Sequence, residues 1–404
     1  MTALRTSLLA AALLALLLWS GGARAAHATT GTQLVARAAT FLPDDTGLAT
    51  KHAPPGGWQL QQWDLIGPAG IDVEPAWDLA AASGHPGGQG IKVAVVDTGV
   101  AYSNRPPFKR SPDLPVARIV RGFDFVAHDA HPSDRSGHGT FVASTIAATA
   151  NNAFGMVGIA YRADIMPVRV LDARDEGFPS TIAKGIRWAV DHKARVINLS
   201  IDFVDEFGAS RSITDNAQIR SAVRYAAKHR VVVVAAAGNG SDPHVPSLRL
   251  DDDIIYVGAT TEHGCLAYYS NTGAGVDLVA PGGGHDAAQV PGDPNCPLGD
   301  GRGRNVLQVT FDRGRPRRFR IPRDGDGHLG LAGTSMAAPH VTGVVALLLA
   351  SGVLGPHPTV RAVQQRLVAT ARDLGAPGPD HSYGAGLIDA AAALGGTRTP
   401  TSSG

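Results

Sequence analysis

Charge of one sign, apolar runs and repeated segments are all scarce in this 404-residue chain. Lysine and arginine number 36 against 35 aspartates and glutamates, which gives a formal net charge of +1. This balance gives no indication of a nucleic acid or an anionic membrane surface as a partner. No second long apolar run follows the one in the N-terminal segment, and we find no internal repeat.

The N-terminal segment has the three parts of a signal peptide. Arg5 supplies a positive charge, an apolar run extends over 8–19, and Ala23-Arg-Ala25 has the small residues of a cleavage site. The apolar run is too short for a membrane helix, and glycines break it. Residues 1–25 are therefore expected to be a signal peptide and the protein to be secreted, soluble and free of stable membrane insertion.

The full chain of 404 residues, 44% of them hydrophobic, is enough for one large core. Runs of β-branched residues alternate with helical patterns, which is typical of a doubly wound α/β fold with a mostly parallel sheet flanked by helices on both faces. The strands are expected at 91–97, 164–170, 196–200, 231–237, 254–259 and 277–280. The helices are expected at 142–149, 180–192, 214–228, 335–349 and 359–371.

One serine stands between a small-residue turn and an apolar helix. Ser335 lies in Gly-Thr-Ser-Met-Ala-Ala-Pro-His, which leads into the run 341–349. Its hydroxyl is therefore expected at a helix N-terminus, where free backbone N–H groups and the helix dipole stabilise a developing oxyanion. Taken alone, however, Gly-Thr-Ser is most often a helix cap.

Two further segments supply a base and a residue that orients it. Asp97 ends the buried strand pattern Lys-Val-Ala-Val-Val-Asp, at the sheet edge where open α/β folds place their sites. His138 stands between glycines just before a helical run. With Asp97 fixing the imidazole tautomer, His138 can take the Ser335 proton and return it to a leaving amine.

These segments together resemble the subtilisin-like serine proteases, the subtilase family. The blocks VAVVDTGV, SGHGTFVAS and GTSMAAPHVTG occur in the family's chain order Asp, His, Ser. A fourth block, 231–240, resembles the segment that carries the oxyanion donor, which implies that role for Asn239. The resemblance covers about residues 58–394.

The resemblance implies a secreted serine endopeptidase that acts on protein or peptide substrates through an acyl-enzyme. No cofactor is expected for catalysis, no nucleic acid is expected as a partner, and a monomer is expected. Two alternatives remain: a catalytically silent binding protein of the same fold, and a processing protease of narrow specificity. The first is disfavoured because all four catalytic positions carry the active residue type.

The organisation departs from the family's in two places. The interval 26–57 is too short for the usual inhibitory prodomain and is interpreted as a short pro-segment or linker. An arginine-rich insertion, 282–330, lies within the peptidase domain 58–394 and has no counterpart in shorter subtilases. It carries eight arginines from Arg302 to Arg323, so it either forms a solvated face or lines the cleft and attracts an acidic substrate or cell-wall polymer. Residues 395–404 are expected to form a flexible tail.

The resemblance also implies two walls of a substrate pocket. One wall is Ser200, Ile201 and Asp202, and the other is Ala236, Ala237 and Gly238. Relatives usually have glycine at the place of Asp202. A carboxylate there favours a basic substrate side chain, unless Asp202 turns outward and only shapes its loop.

Calcium is implied by two further segments of the family's pattern. Asp113 offers a carboxylate and Asn152 an amide oxygen, both hard donors of the kind calcium prefers. These two residues are candidates for a structural calcium site.

The two cysteines, Cys265 and Cys296, are expected to form a disulfide in an exported protein. The bond would tether the insertion and stabilise the fold by roughly 3 kcal/mol. Two free thiols are the alternative. Neither cysteine lies near the serine, histidine or aspartate blocks, so thiol catalysis is not expected.

Overall fold

A computed structural model of the chain describes residues 41–204, 210–211, 213–243, 245, 253–288, 290, 293, 296 and 301–396. The signal peptide predicted at 1–25 lies outside these residues. So do 26–40 of the predicted pro-segment and 397–404 of the predicted tail.

A seven-stranded sheet, parallel throughout, forms the centre of the fold. The order of its strands is β2-β3-β1-β4-β7-β8-β9, and β5 with β6 and β10 with β11 form two small antiparallel pairs. In chain order the strands are β1 Lys92–Asp97, β2 Phe123–Asp124, β3 Asp164–Arg169, β4 Val196–Leu199, β5 Phe203–Val204, β6 Ser210–Arg211, β7 Val232–Ala236, β8 Ile254–Thr260, β9 Leu278–Pro281, β10 Thr310–Phe311 and β11 Phe319–Arg320.

Helices cover both faces of this sheet. They are α1 Trp58–Gln61, α2 Val73–Ala82, α3 His138–Ala147, α4 Pro179–Asp191, α5 Ala217–Lys228, α6 Thr334–Ser351, α7 Val360–Thr370 and α8 Ala390–Ala393. Alternate residues of β1 belong to two different apolar clusters: Val93 and Val95 join the one with α2, α3 and α6, and Ala94 and Val96 the one with α4 and α5. The expected doubly wound α/β architecture is confirmed, because a strand buried on both faces needs helices on both.

Two helices begin at residues other than those expected from the sequence. The helix expected from 142 begins at His138, because Gly137 adopts a left-handed conformation (φ 104°) and turns the chain directly into α3. The helix expected from 214 begins at Ala217, because Asn216 caps it by accepting the N–H groups of Gln218 and Ile219. The other helix boundaries expected from the sequence agree within about two residues.

Helix α6, which carries Ser335, is buried along nearly all of its length. In the described part of the chain it is the one helix long and apolar enough to cross a membrane, and its burial identifies it as a core helix. His340 of α6 contacts Asp64 through Nε2 and Oδ2 at 2.9 Å, and both side chains are fully buried. This contact fastens the segment after α1 to α6.

The peptidase domain was expected to begin at Trp58. Residues upstream of Trp58 also pack against this domain. Trp58 donates its indole N–H to the carbonyl of Pro43 at 3.0 Å, and the Phe41 ring stacks on Tyr161. The Phe41 N–H is donated to Asp78. Residues 41–57, expected to be part of a pro-segment or linker, therefore contact the catalytic body.

Candidate active site

The carboxyl edge of the sheet gathers the candidate catalytic residues. Strands β1, β4 and β7 are parallel neighbours, so Asp97, Ser200 and Asn239 all emerge from the same edge. Helix α3 begins at this edge with His138, and α6 begins there with Ser335 as its second residue. This is the place where open α/β sheets bind ligands.

Asp97 and His138 form a short buried contact. Asp97 Oδ1 lies 2.8 Å from His138 Nδ1, and the aspartate is fully buried whereas the imidazole is 21% exposed. Burial lowers the pKa of His138, but the charge and hydrogen bond of Asp97 and the charges of Asp175 and Asp134 outweigh it. The pKa therefore lies above its ordinary value of 6.5. Because Nδ1–H faces Asp97, Nε2 is the ring atom available for proton transfer.

Asp134 holds the turn that presents His138. Its carboxylate accepts the backbone N–H groups of Ser136, Gly137 and Thr140, each at 2.9 Å. The Thr98 hydroxyl, next to Asp97, also donates to Asp134 at 2.9 Å. No sequence motif marks Asp134, and its position four residues before His138 is the one signal that points to it.

Ser335 exchanges two hydrogen bonds with Ser200. The Ser335 hydroxyl donates to the Ser200 carbonyl at 3.3 Å, and the Ser200 hydroxyl donates to the Ser335 carbonyl at 2.8 Å. Behind Ser200, Asn198 Nδ2 donates to its hydroxyl, and Thr342 donates to Asn198 Oδ1, both at 2.8 Å. The bond from the Ser335 hydroxyl is long and therefore weak, whereas the buried hydrogen bonds behind Ser200 fix the first turn of α6.

Asn239 is fixed through its side-chain oxygen. Asn239 Oδ1 accepts the backbone N–H of Thr334 at 2.8 Å and the Thr334 hydroxyl at 2.9 Å. The Thr334 hydroxyl in turn accepts the N–H of Gly238 at 3.2 Å. Because Oδ1 is occupied, the amide NH₂ of Asn239 is left to act as a donor. The serine N–H lies in the first turn of α6, where backbone donors have no partner within the helix.

The predicted pocket walls leave adjacent strands. Ser200, Ile201 and Asp202 follow β4, and Ala236, Ala237 and Gly238 end and follow β7, with Leu199 opposite Ala235. Asp202 connects the two walls, since its Oδ2 accepts the backbone N–H of Asn239 at 3.0 Å. The structure therefore places the Asp202 carboxylate beside Asn239.

The calcium candidates Asp113 and Asn152 lie together, and a second acidic residue, Asp45, which no sequence motif marked, lies beside them. Asn152 Nδ2 donates to Asp113 Oδ1 at 2.9 Å, and Asp45 accepts the N–H groups of Asn151 and Asn152 at 2.8 and 3.2 Å. Asp45 stands in the range 26–57 and lacked a recognisable motif. Only the packing of residues 41–57 against the domain brings Asp45 close to Asp113 and Asn152.

This group of oxygens has the character of a hard-cation site. Burial raises the pKa of Asp113 to about 8, with a further contribution from the charge of Asp45, and burial raises the pKa of Asp45 to about 6. Asn152 Oδ1 is buried without a hydrogen-bond partner. Two buried carboxylates and an unsatisfied amide oxygen fit calcium, which would supply the missing positive charge.

A second acidic group lies in the insertion, at Asp324, Asp326 and His328. Arg302 already contacts it, with Nη2 2.9 Å from Asp324 Oδ2 and Nη1 4.0 Å from Asp326 Oδ2. A guanidinium therefore offsets part of the negative charge of this group.

A disulfide joins Cys265, after β8, to Cys296 in the insertion. The two cysteines are 31 residues apart in the sequence. The bond ties part of the insertion to the main sheet.

Comparison with known proteins identifies the family. Residues 88–386 match the family model described as the subtilase family. A thermophilic serine proteinase of Bacillus sp. strain AK1 is 35% identical over 71% of this chain, and the match takes in 57% of that protein. Thermitase of Thermoactinomyces vulgaris is 33% identical, over 71% of this chain and 82% of its own.

Two more comparisons agree. Subtilisin Savinase of Lederbergia lenta is 35% identical over 76% of this chain and 91% of its own length. The solved structure of a protease from Pseudoalteromonas arctica PAMC 21717 superposes with a TM-score of 0.62 at 28% identity, covering 88% of this chain and 99% of that one. The chain therefore belongs to the subtilase family of subtilisin-like serine proteases.

Proposed function

We propose that this protein is an exported serine endopeptidase in which Ser335 is the nucleophile, His138 the general base and Asp97 the residue that orients it. The observation that carries the proposal is the 2.8 Å contact between Asp97 Oδ1 and His138 Nδ1 at the sheet edge where Ser335 stands in the first turn of α6. Export rests on the predicted signal peptide at 1–25.

The proposed reaction begins when Ser335 Oγ attacks the carbonyl carbon of a peptide bond and His138 Nε2 takes its proton. The resulting imidazolium is stabilised by Asp97, which is buried and accepts the Nδ1–H. His138 then gives the proton to the leaving amine as the C–N bond breaks, leaving an ester on Ser335. Water attacks this ester with His138 again as the base, which releases the acid and restores the serine.

The site must also stabilise the negative charge that develops on the carbonyl oxygen. The Asn239 NH₂ is available for it because Thr334 holds the amide oxygen at 2.8 and 2.9 Å. The backbone N–H of Ser335 at the start of α6 provides the other donor. Fixed donors cost little reorganisation during reaction, so we expect them to stabilise the transition state by a few kcal/mol each.

We also propose that a basic substrate side chain is preferred before the scissile bond. The support is Asp202, whose carboxylate is held between the ends of β4 and β7 by the Asn239 N–H. A lysine or arginine that enters between these walls gains a counterion in a partly desolvated place.

A fluorophosphonate probe tests the proposed chemistry, because it reacts with activated serine hydroxyls. We expect the wild-type protein to be labelled and to cleave peptides, and Ser335→Ala to do neither. Ser351→Ala, at the other end of the same helix, should behave as wild type. A folded wild-type protein that neither reacts with the probe nor cleaves peptides would contradict the proposal.

A further inference from the structure

Part of the insertion packs beside the turn that carries His138. Residues 310–320, here called the arginine hairpin, contain the antiparallel strands β10 and β11. The Thr310 hydroxyl donates to the carbonyl of Gly137 at 2.6 Å. A Cβ added to Gly137 would lie 2.2 Å from the carbonyl oxygen of Phe311. The hairpin is therefore in direct contact with the residue before the general base.

The arginine hairpin also connects two loops at the carboxyl edge of the sheet. The Lys109 N–H, in the segment after β1, is donated to the Pro316 carbonyl at 3.1 Å. Arg313 forms an ion pair with Asp175, in the loop after β3. Strands β1 and β3 are neighbours, and β1 ends at Asp97, so the hairpin lies on the histidine side of the site. The charge of Asp175 acts on His138, which agrees with this placement.

The hairpin carries an excess of positive charge. It has five arginines and a single acidic residue, Asp312. Arg320 pairs with Asp312 at 2.7 Å, and Arg313 pairs with Asp175. Among the residues that the structure describes, the remaining three have no ion-pair partner, and all three are exposed: Arg315, Arg317 and Arg318.

The undescribed ends of the chain offer no counter-charge for these arginines. Residues 1–40 and 397–404 contain neither aspartate nor glutamate. These exposed guanidinium groups are therefore open to a complementary charge from another part of the chain or from another molecule. Guanidinium groups favour carboxylates, which they bind with two parallel hydrogen bonds.

We infer that the arginine hairpin is a wall of the substrate cleft and selects polypeptide substrates with acidic residues close to the cleaved bond. The inference rests on the proposed peptidase function. It is compatible with a basic side chain next to Asp202, because Asp202 follows β4, on the other side of β1 from β3. The site would then recognise a basic residue flanked by acidic ones.

The test compares matched peptides that carry glutamate or glutamine on either side of a fixed cleavage site. For the wild-type enzyme we expect kcat/KM to be about tenfold higher for the glutamate peptide at low ionic strength, and the two values to converge in high salt. The triple variant R315E/R317E/R318E should favour the glutamine peptide. The control K193E/K228E/R230E changes the charge equally at exposed residues before β4 and β7, at the opposite edge of the sheet, and should keep the wild-type ratio.

Three results would overturn the inference. The first is a wild-type enzyme whose kcat/KM at low ionic strength is about equal for the glutamate and glutamine peptides. The second is an equal ratio of these two values in both triple variants. The third is that binding of an anionic polysaccharide depends on the three arginines whereas the ratio of kcat/KM between the two peptides does not. That result would make the hairpin a binding surface for the polymer. Absence of both peptide cleavage and fluorophosphonate labelling would overturn the proposed function as well, whereas cleavage without charge preference overturns this inference alone.

Discussion

Asp202 accepts a hydrogen bond from the backbone N–H of Asn239 at 3.0 Å. The same asparagine has its side-chain oxygen bound by Thr334 at 2.8 and 2.9 Å. A residue of the proposed substrate pocket is thus bonded to the proposed oxyanion donor. Changes at Asp202 should therefore affect both the choice of substrate and the rate, and different substitutions should separate the two effects.

Asp202→Asn should reduce the preference for lysine over leucine before the cleaved bond by about tenfold, the effect of losing a charge-assisted contact. It keeps an oxygen that can accept the Asn239 N–H, so kcat for the leucine peptide should change little. Asp202→Gly should lower both the preference for lysine and the kcat for the leucine peptide, because it also removes the oxygen that accepts the Asn239 N–H. Peptide-library profiling of the three enzymes measures this, and a wild-type enzyme that treats lysine, leucine and phenylalanine equally would contradict the basic-pocket proposal.

The pH dependence of kcat/KM should report the raised pKa of His138. The base must be neutral to accept the serine proton, so activity should rise with pH through a pKa above 6.5. Asp175→Asn removes one of the charges that raise this pKa and leaves Arg313 unpaired, so the acid limb should move to lower pH by roughly 0.2 to 0.5 unit. Glu176→Gln, an exposed neighbour that is not among the main charges acting on His138, is the control. A shift to higher pH in Asp175→Asn would contradict the placement of Asp175.

Calcium removal should destabilise the protein through Asp45, Asp113 and Asn152. In an inactive Ser335→Ala background, we expect saturating calcium to add about 3 kcal/mol of stability over a chelator, measured as an increase in Tm of several degrees. Asp113→Asn and Asp45→Asn should each abolish most of this difference. Asp326→Asn, in the separate acidic group that Arg302 contacts, should leave it intact. Equal Tm values for the Ser335→Ala protein with and without calcium would exclude the site.

The buried pair of Asp64 and His340 should contribute to stability rather than to specificity. Asp64→Ala leaves a fully buried imidazole without its partner, so the free energy of unfolding should fall by about 3 kcal/mol in urea titrations of the Ser335→Ala background. Glu74→Ala, on the surface of α2, should cost less than about 0.5 kcal/mol. If Asp64→Ala lowers the free energy of unfolding no more than the control does, the pair does not fasten the segment after α1 to α6.

The parallel core was predictable because each of its main strands carries a local signal. Continuous runs of β-branched residues gave the six longer strands of the sheet, and the four motif blocks named Asp97, His138, Ser335 and Asn239 as a set. The helix beginning at His138 was placed four residues too late, because the left-handed turn at Gly137 leaves no apolar periodicity to detect. The role of Asp134 was not predicted for a similar reason, since an aspartate in a loop forms no sequence pattern and its hydrogen bonds are known only from the structure.

The sequence by itself determined the fold class, the family and the chemical types at the proposed active site, since strand pattern and motif order are local properties of the chain. Only the tertiary structure decided which distant side chains meet. It joined Asp202 to Asn239, brought Asp45 to Asp113 and placed the arginine hairpin against Gly137. Such contacts depend on how loops pack between elements far apart in sequence, and no periodicity encodes them.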